Sequence, residues 1–597
     1  MLRKIKEGLK LKRGLFLVWE SSRRWVIVAA LLTVGIGVLP VVSLYLQKLF
    51  FDEFTAGLIG EIGVSFAMLA TLIAAMAGTE IVSSLLRSIS TYSTTAQGEV
   101  VQDYVMSNLH KKSVELDLGY YETPSYFDSL HIAQTEAPKR TAKFVEVLSA
   151  IARDGLSLIA VLALLLTYHW AISALLFFAV VPGLFVQVKS SDKLFRWQKS
   201  AAGRQREADY YHSLLTQSNA AKESRVFGFG PVVAGWYSQL RIRLREELLK
   251  ITYWKQTRIF LVNACSIAAL FIGFYYFARA AVDGVFTIGD MALFYAAFNR
   301  AQNYLRQLIA GISSLYESNL FLGNLFEVLD TQPIVTSPEK PLVALSSAPS
   351  RIVFKDVDFK YPGTVRQALS GISLSIEPGE HIAIVGKNGS GKSTFVKLIC
   401  RLYDCSSGSI SLGGQDIRSL DLQAYRKRFS VLFQDHLQFS LSVKNNIMLG
   451  DTDCADEALM KEAACLSGAD EIVRKLPKGY ETSLGKILIE GEQLSQGEWQ
   501  KVALARALYR RAEITILDEP TSWMDPESEY EFFEKFHEMS KGRSAIMVSH
   551  RLSTVKMVDR IVVMEAGRVL EIGSHEELIE LRGRYYELFE LQARSYR

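Results

Sequence analysis

The chain has 597 residues, too many for one domain, and 67 Lys and Arg against 63 Asp and Glu leave a net charge of only +4. That balance excludes the strong charge excess of a nucleic-acid binder, and no nucleic-acid partner is expected. Hydrophobic residues make up 49% and mean hydropathy is +0.14, high for a soluble protein, with most of the excess before about residue 325.

The start, Met1-Leu-Arg-Lys-Ile-Lys, is basic but lacks the compact apolar core and small-residue site of a cleavable signal peptide. Six apolar stretches come next, at about 25–47, 58–86, 145–168, 170–188, 259–281 and 286–312. Each is long enough for the roughly 20 helical residues a bilayer requires. Trp25 to Leu46 carries no charge; the sixth stretch is the most polar, with Asn299, Arg300, Asn303 and Arg306. Arg3, Lys4, Lys6, Lys10, Lys12, Arg13, Arg23 and Arg24 precede the first span, whereas the next loop carries only Lys48 beside Asp52 and Glu53. That bias places the N-terminus in the cytosol. The long charged connections 87–144 and 189–258 read as helices continuing into the cytosol. On the sixth span, Asn299, Asn303, Arg306, Ser313 and Glu317 fall near one line at 100° per residue. Such a stripe faces protein or water rather than lipid, either as helix–helix bonding or as the wall of a hydrated passage.

A Pro/Ser-rich linker, 326–350, separates this apolar half from a second half of ordinary soluble composition. The expected division is a helical membrane domain over 1–325 and an α/β nucleotide-binding domain over 351–597. Tyr361, in Phe359-Lys-Tyr-Pro-Gly363, stands where an aromatic ring could stack on adenine. His381-Ile-Ala-Ile-Val385 then delivers Gly386-Lys-Asn-Gly-Ser-Gly-Lys-Ser-Thr394, and Phe395-Val-Lys-Leu-Ile399 continues as a helix. Strand, glycine-rich loop and helix together make a phosphate cradle. Gly386, Asn388, Gly389, Ser390, Gly391 and Thr394 line it, with backbone N–H groups at a helix N-terminus facing the anion. Lys392 reaches the β- and γ-phosphates and Ser393 suits Mg²⁺.

Ile514-Thr-Ile-Leu517 is a buried-strand pattern ending in Asp518-Glu519. Two carboxylates at the end of an apolar strand are costly unless they meet a cation. Asp518 suits Mg²⁺, and Glu519 suits polarising an attacking water as general base. Gln434 and His550 also end strand-like runs. Cys265, Cys400, Cys405, Cys454 and Cys465 form no metal-ligand spacing and read as free thiols.

With these parts in this order, the whole chain resembles half-transporters of the ATP-binding cassette (ABC) exporters, of the type IV or B-type fold: six membrane helices, then one nucleotide-binding domain. The motifs that carry the resemblance are Gly386–Thr394, Gln434, Leu494-Ser-Gln-Gly-Glu498, Ile514–Glu519, Ser522-Trp-Met-Asp525 and His550. The resemblance implies a dimer, homodimeric or heterodimeric, whose two nucleotide domains face head to tail in a cytoplasmic membrane with both termini in the cytosol. ATP and Mg²⁺ are the implied cofactors. Ser495 and the amide of Gly497 would meet the γ-phosphate from the opposite domain, with Asp525 nearby. Gln434 would sense Mg²⁺ and the attacking water, and His550 would contact the γ-phosphate. The signature departs from the family's common Leu-Ser-Gly-Gly-Gln at Gln496 and Glu498, which puts the hydrolysis rate in question. Gly119–Asp128 and Phe227–Trp236 resemble transverse coupling helices that dock on nucleotide domains. Finer similarities point to bacterial exporters of ribosomally made peptides such as lantibiotics, with membrane lipids as the medium. Lipid flipping, drug export, uptake, and a weakly hydrolysing half of a heterodimer remain the alternatives.

Overall fold

The computed structural model describes residues 11–58, 66–168, 170–217, 220–283, 285–342, 350–485, 491–520, 526–540, 542–549, 551 and 555–595. It forms two compact units, Met1–Val114 with Asp128–Thr331, and Glu115–Phe127 with Gln332–Arg597.

The first unit is helical. In chain order the helices are α1 (Leu11–Leu58), α2 (Phe66–Glu115), the short α3 (Leu118–Tyr121, which belongs to the second unit), α4 (Pro124–Tyr168), α5 (Trp170–Thr216), α6 (Ala221–Phe227), α7 (Gly230–Val282) and α8 (Ile288–Asp330). The long helices run 43–53 residues. At 1.5 Å per residue that is roughly 65–80 Å, about twice a bilayer core, so they extend well beyond the membrane. Among the described residues, α1, α2, α4 and α7 are long and apolar enough to cross a membrane. The turn near His169 and many side chains at the start of α5, where the fourth span was expected, lie outside the described residues. In α8 the apolar run is broken by Asn299, Arg300, Gln302, Asn303 and Arg306. This helix runs on to Asp330, past the expected end of the domain at 325.

Ser22 interrupts α1 with non-helical backbone (φ −142°, ψ 40°), just before Arg23, Arg24 and the apolar span that starts at Trp25. Its hydroxyl donates to the Val18 carbonyl at 2.8 Å and accepts from Gln97 Nε2 at 3.2 Å, so the break is bonded rather than open. The core of the unit joins α1, α4, α7 and α8 through Leu44, Val161, Leu165, Phe277, Phe294 and Phe298. The rings of Phe277 and Phe294 stack with centroids 4.7 Å apart. Thr287 and Asp290 cap α8 reciprocally, and Lys48 of α1 pairs with Asp290 at 2.8 Å.

The second unit contains two sheets. A four-stranded antiparallel sheet orders β2 (Leu369–Ile376), β1 (Ile352–Phe359), β4 (Ser407–Leu412) and β5 (Gln415–Asp416). A six-stranded sheet orders β10 (Arg568–Gly573), β9 (Arg560–Glu565), β3 (His381–Val385), β8 (Ser544–Val548), β7 (Ile514–Asp518) and β6 (Phe429–Leu432). All its pairings are parallel except β9 with β10. Every residue of β3, β7 and β8 is buried, as expected of parallel strands covered on both faces. The sequence runs IAIV, ITIL and AIMV are apolar for that reason. The P-loop helix α9 (Lys392–Ile399) contributes Phe395, Val396, Leu398 and Ile399 to the core between the sheets.

Candidate functional site

The site stands at the carboxyl ends of the central parallel strands, where ligands bind open α/β sheets. Register brings its parts level. Val548 of β8 pairs with Ile384 on one side and Asp518 on the other. The P-loop and the carboxylate pair therefore emerge at the same height. The Glu519 amide then donates to the Val548 carbonyl at 2.9 Å.

Two P-loop glycines are required sterically. A Cβ on Gly386 would lie 2.2 Å from the Met564 carbonyl, and one on Gly391 would lie 2.6 Å from Leu369 Cδ2. Gly391 also sits at φ 105°, where side chains are disfavoured. Between them, Lys392 folds back over its own loop. Its ammonium donates to the carbonyls of Gly386 at 2.8 Å and Lys387 at 3.2 Å. Burial pulls it below its ordinary value, and the carboxylates of Glu519 and Asp518 oppose that shift.

Asp518 is buried and interacts with the Ser393 hydroxyl. Burial first, and the neighbouring Glu519 carboxylate second, push its carboxyl up to about 6. Glu519 has φ 52°, a left-handed backbone that turns its side chain out of the strand line. Gln434 Nε2 donates to Glu519 Oε2 at 2.8 Å, and Gln500 Nε2 donates to the Glu519 carbonyl at 3.0 Å. Both carboxylate and backbone are thus held.

A cavity of about 600 Å³ is lined by Tyr361, Asn388, Gly389, Gly391, Lys392, Ser393, Thr394, Gln434 and Glu519. The Tyr361 hydroxyl shares a hydrogen bond with Thr394 Oγ1 at 3.1 Å. Gln367, Ala566 and Gly567 also line the cavity and were missed in the sequence. They lie on a loop and a β9–β10 turn, and only the Ala-Gly turn pattern could have marked the second. Ser390 is buried beside the loop and its amide donates to the Lys387 carbonyl. Asp525 and His550 fall outside the described residues.

Ser495 and Gly497 are not among the described residues lining this cavity. Ser495 caps the helix Gln496–Tyr509 in a reciprocal box with Glu498, whose Oε2 accepts from the Ser495 amide at 2.7 Å and hydroxyl at 2.8 Å. Gln438 Nε2 donates to Gln496 Oε1 at 3.0 Å.

The first expected coupling segment belongs to the nucleotide unit by its contacts. Glu122 accepts from Lys397 Nζ of α9 at 2.8 Å and from the Tyr403 hydroxyl at 2.6 Å. Burial works against its charge, but those two partners outweigh it and hold Glu122 below its ordinary value. Asp117 accepts from the amides of Ile334 and Val335, and the Tyr120 hydroxyl donates to the Gln332 carbonyl. In the second expected segment, α6 ends at Gly228 (φ 66°), and Val226, Phe227 and Trp236 are exposed.

Comparison with known proteins agrees with this geometry. Residues 369–522 match the family described as ABC transporter. The subtilin transport ATP-binding protein SpaT of Bacillus subtilis is 30% identical over 590 residues, covering 96% of this chain and 94% of that protein. The chain belongs to the ABC transporters. The nisin transport ATP-binding protein NisT of Lactococcus lactis subsp. lactis is 29% identical over 97% of the chain and 96% of its own length. An ATP-dependent lipid A-core flippase of Saccharophagus degradans is 30% identical over 86% of each. A solved bacterial Atm1-family ABC exporter with ATP bound has the same fold, with TM-score 0.81, 23% identity and coverage of 96% of this chain and 98% of that one. This ABC transporter is an ATP-binding transport ATPase whose helical half crosses a membrane.

Proposed function

We propose that the chain is one half of a dimeric exporter that moves a peptide out across the bacterial cytoplasmic membrane, with both termini in the cytosol. The observation that carries the ATP-driven step is the Glu519 carboxylate, held by Gln434 at the mouth of the P-loop cavity beside buried Asp518. In this reading Tyr361 supports adenine, and the P-loop with Lys392 holds the phosphates. Glu519 takes the proton of the attacking water as general base. Ser393, Asp518 and Gln434 would hold Mg²⁺: hydroxyl, carboxylate and amide oxygens form a hard-cation donor set, and the buried Asp518 carboxyl, raised by burial and by the neighbouring Glu519, is a group whose charge a divalent cation would compensate. Bound there, the ion supplies positive charge against the phosphates. Ser495 and Gly497 of the opposite half, with Asp525 and His550, would complete the γ-phosphate shell; neither Ser495 nor Gly497 is among the described residues that line the cavity of its own chain. Contacts of Asp117, Tyr120 and Glu122 on the nucleotide unit support a coupling role for that segment. The exposed Val226, Phe227 and Trp236 suit the second segment for docking on a nucleotide domain.

Peptide cargo is supported by near-complete coverage of proteins named for subtilin and nisin transport. Lipid flipping is the second reading, supported by likeness to a lipid A-core flippase over 86% of the chain. The test is ATP-dependent uptake of a labelled leader-bearing peptide into inside-out proteoliposomes containing this chain alone, beside flipping of a labelled lipid in the same vesicles. Peptide accumulation supports the first reading. Lipid movement without it supports the second. ATPase activity of the single purified chain supports a homodimer, and its loss supports a heterodimer.

A further inference from the structure

The membrane unit contains charged groups that none of the ATPase chemistry uses. Arg300 on α8, Glu80 on α2 and Ser43 on α1 converge on a cavity of about 320 Å³, which Thr79, Arg87 and Asn303 also line. Arg300 donates to the Pro40 carbonyl and to Ser43 Oγ, both at 3.2 Å. Ser43 in turn donates to Glu80 Oε1 at 3.2 Å.

The depth of this cluster makes it significant. Arg300 lies ten residues along α8 from Asp290, which stands in the first turn of that helix. At helical rise that is about 15 Å, half of a bilayer core. Ionised groups at that depth are retained only where they are paired or hydrated. The pairing here is loose. Arg300 Nη2 is 3.8 Å from Glu80 Oε1, and the Glu80 side chain is 61% exposed. A structural ion pair would be closer and enclosed. Arg87, seven residues after Glu80, shares its helix face, and its side chain has no acidic partner among the described residues. The cavity therefore holds two cations against one weakly engaged carboxylate. The expected polar stripe on α8 is only partly this face. Asn303 lines the cavity, while Asn299 bonds back to the Tyr295 carbonyl and Arg306 is exposed. The side chain of Glu317 lies outside the described residues.

We propose that this cavity binds an anionic group of the cargo, a carboxylate if the cargo is a peptide, which takes the place of Glu80 on Arg300 with Arg87 as the second cation. The choice of carboxylate rests on the peptide reading above; the anion preference rests on the cavity alone. Glu80 is then a placeholder that keeps Arg300 compensated while cargo is absent. Asn303, Thr79 and Ser43 supply neutral polar contacts.

The test reads local charge directly. Thr79→Cys in the full-length chain, in nanodiscs of zwitterionic lipid, is treated with an anionic and a cationic methanethiosulfonate of equal size, with rates taken over those of the parent chain. The anionic reagent should react about tenfold faster, a ratio set by the local potential. Glu80→Gln should widen that ratio, and Arg300→Gln should abolish or reverse it. Glu80→Gln decides the matter alone if the arginine variant does not fold. Equal rates, faster reaction with the cationic reagent, or no reaction with either would overturn the proposal. Protection of the introduced thiol by added anionic phospholipid would assign the site to a lipid headgroup and overturn its assignment to a peptide carboxylate. None of these readings measures peptide uptake, so the cargo class is judged separately in the vesicle assay.

Discussion

In the nucleotide-binding half, the chemistry is local. Asp518 and Glu519 are adjacent, Lys392 bonds within its own loop, and Gln434 lies just past the end of β6, so sheet register alone brings the groups together. In the membrane half, the groups that meet are remote. Ser43 and Glu80 are 37 positions apart, and Ser43 and Arg300 are 257 apart. They converge because three long helices cross at one depth. Phosphate binding needs backbone N–H groups in a fixed curve, which only a short contiguous loop supplies. A cavity for cargo needs side chains at matching depths, which any helices can supply. One half therefore advertises its chemistry in motifs, and the other disperses it.

The largest expected effect tests locality in the nucleotide half. Glu519→Gln should lower the ATPase kcat by roughly 10²–10⁴-fold with nucleotide affinity nearly unchanged. The amide keeps the shape and can still meet Gln434, but it cannot take a proton. A variant keeping more than about a tenth of the wild-type rate would move the base elsewhere and break the contrast between the halves.

A tenfold effect is expected from pH. The carboxyl of Asp518 is raised to about 6, so the nucleotide-free protein binds a proton there more readily than an ordinary aspartate does. If Asp518 holds the divalent cation as proposed, that proton competes with it below about pH 6, and above that pH the competition fades. The Mg²⁺ concentration for half-maximal ATPase should rise about tenfold per pH unit below 6 and be flat from 7 to 8. Asp518→Asn should remove the slope in Mg²⁺-dependent nucleotide binding. An unchanged slope in that variant would assign the titration to another group.

The same contrast explains what was legible in the sequence. The strands β3 and β7 are wholly apolar because both faces are buried, so the P-loop and the carboxylate pair could be placed on them without coordinates. Long charged connections flanking apolar spans also foretold helices that outrun the membrane. Gln367 and Gly567 carried no such pattern, because they reach the cavity through loops from distant elements. The Arg300–Glu80 meeting was hidden for a different reason. Helical periodicity gives the angle of a residue on its own helix but not which neighbour it faces, and the cavity lies about one residue's rotation, roughly 100°, from the stripe read off α8. The ionic docking of Glu122 on Lys397 was equally invisible, since the aromatic residues around it suggested apolar contact.

A smaller effect joins the two regions of sequence. Segment 115–127 comes from the helical half of the chain but packs within the nucleotide unit. Glu122 bonds Lys397, whose ammonium lies 5.3 Å from the Tyr361 ring centroid. Glu122→Gln should reduce cargo-stimulated ATPase two- to fivefold and leave basal ATPase intact, in line with the modest worth of a half-exposed pair. The double variant with Lys397→Met should add little to either single change, because both remove one interaction. Additive losses would mean that the two side chains act independently and that the segment is held by Asp117 and Tyr120 instead.

The smallest effect concerns the altered signature, where motif and structure diverge most within the nucleotide half. Gln496 is exposed, and its side-chain carbonyl accepts only from Gln438 among the described contacts of its own chain. Gln496→Gly gives up that bond and places glycine at the first helical position, a cost of at most about 1 kcal/mol. Glu498→Gln keeps the capping box, which either residue can close, and removes one negative charge from a helix N-terminus worth about 0.3–1 kcal/mol. Both variants should therefore fold with melting temperatures close to the parent's. Their ATPase should stay within about twofold for Gln496→Gly, while Glu498→Gln should lower KM for ATP a few-fold, because the Ser495 hydroxyl is no longer held by a carboxylate that opposes phosphate. A tenfold rise in kcat for Gln496→Gly would contradict this. The side chain would then be an obstacle at the surface where two nucleotide domains close, and closure rather than the Glu519 proton transfer would limit turnover. The nucleotide half would depend on remote contacts as much as the membrane half does.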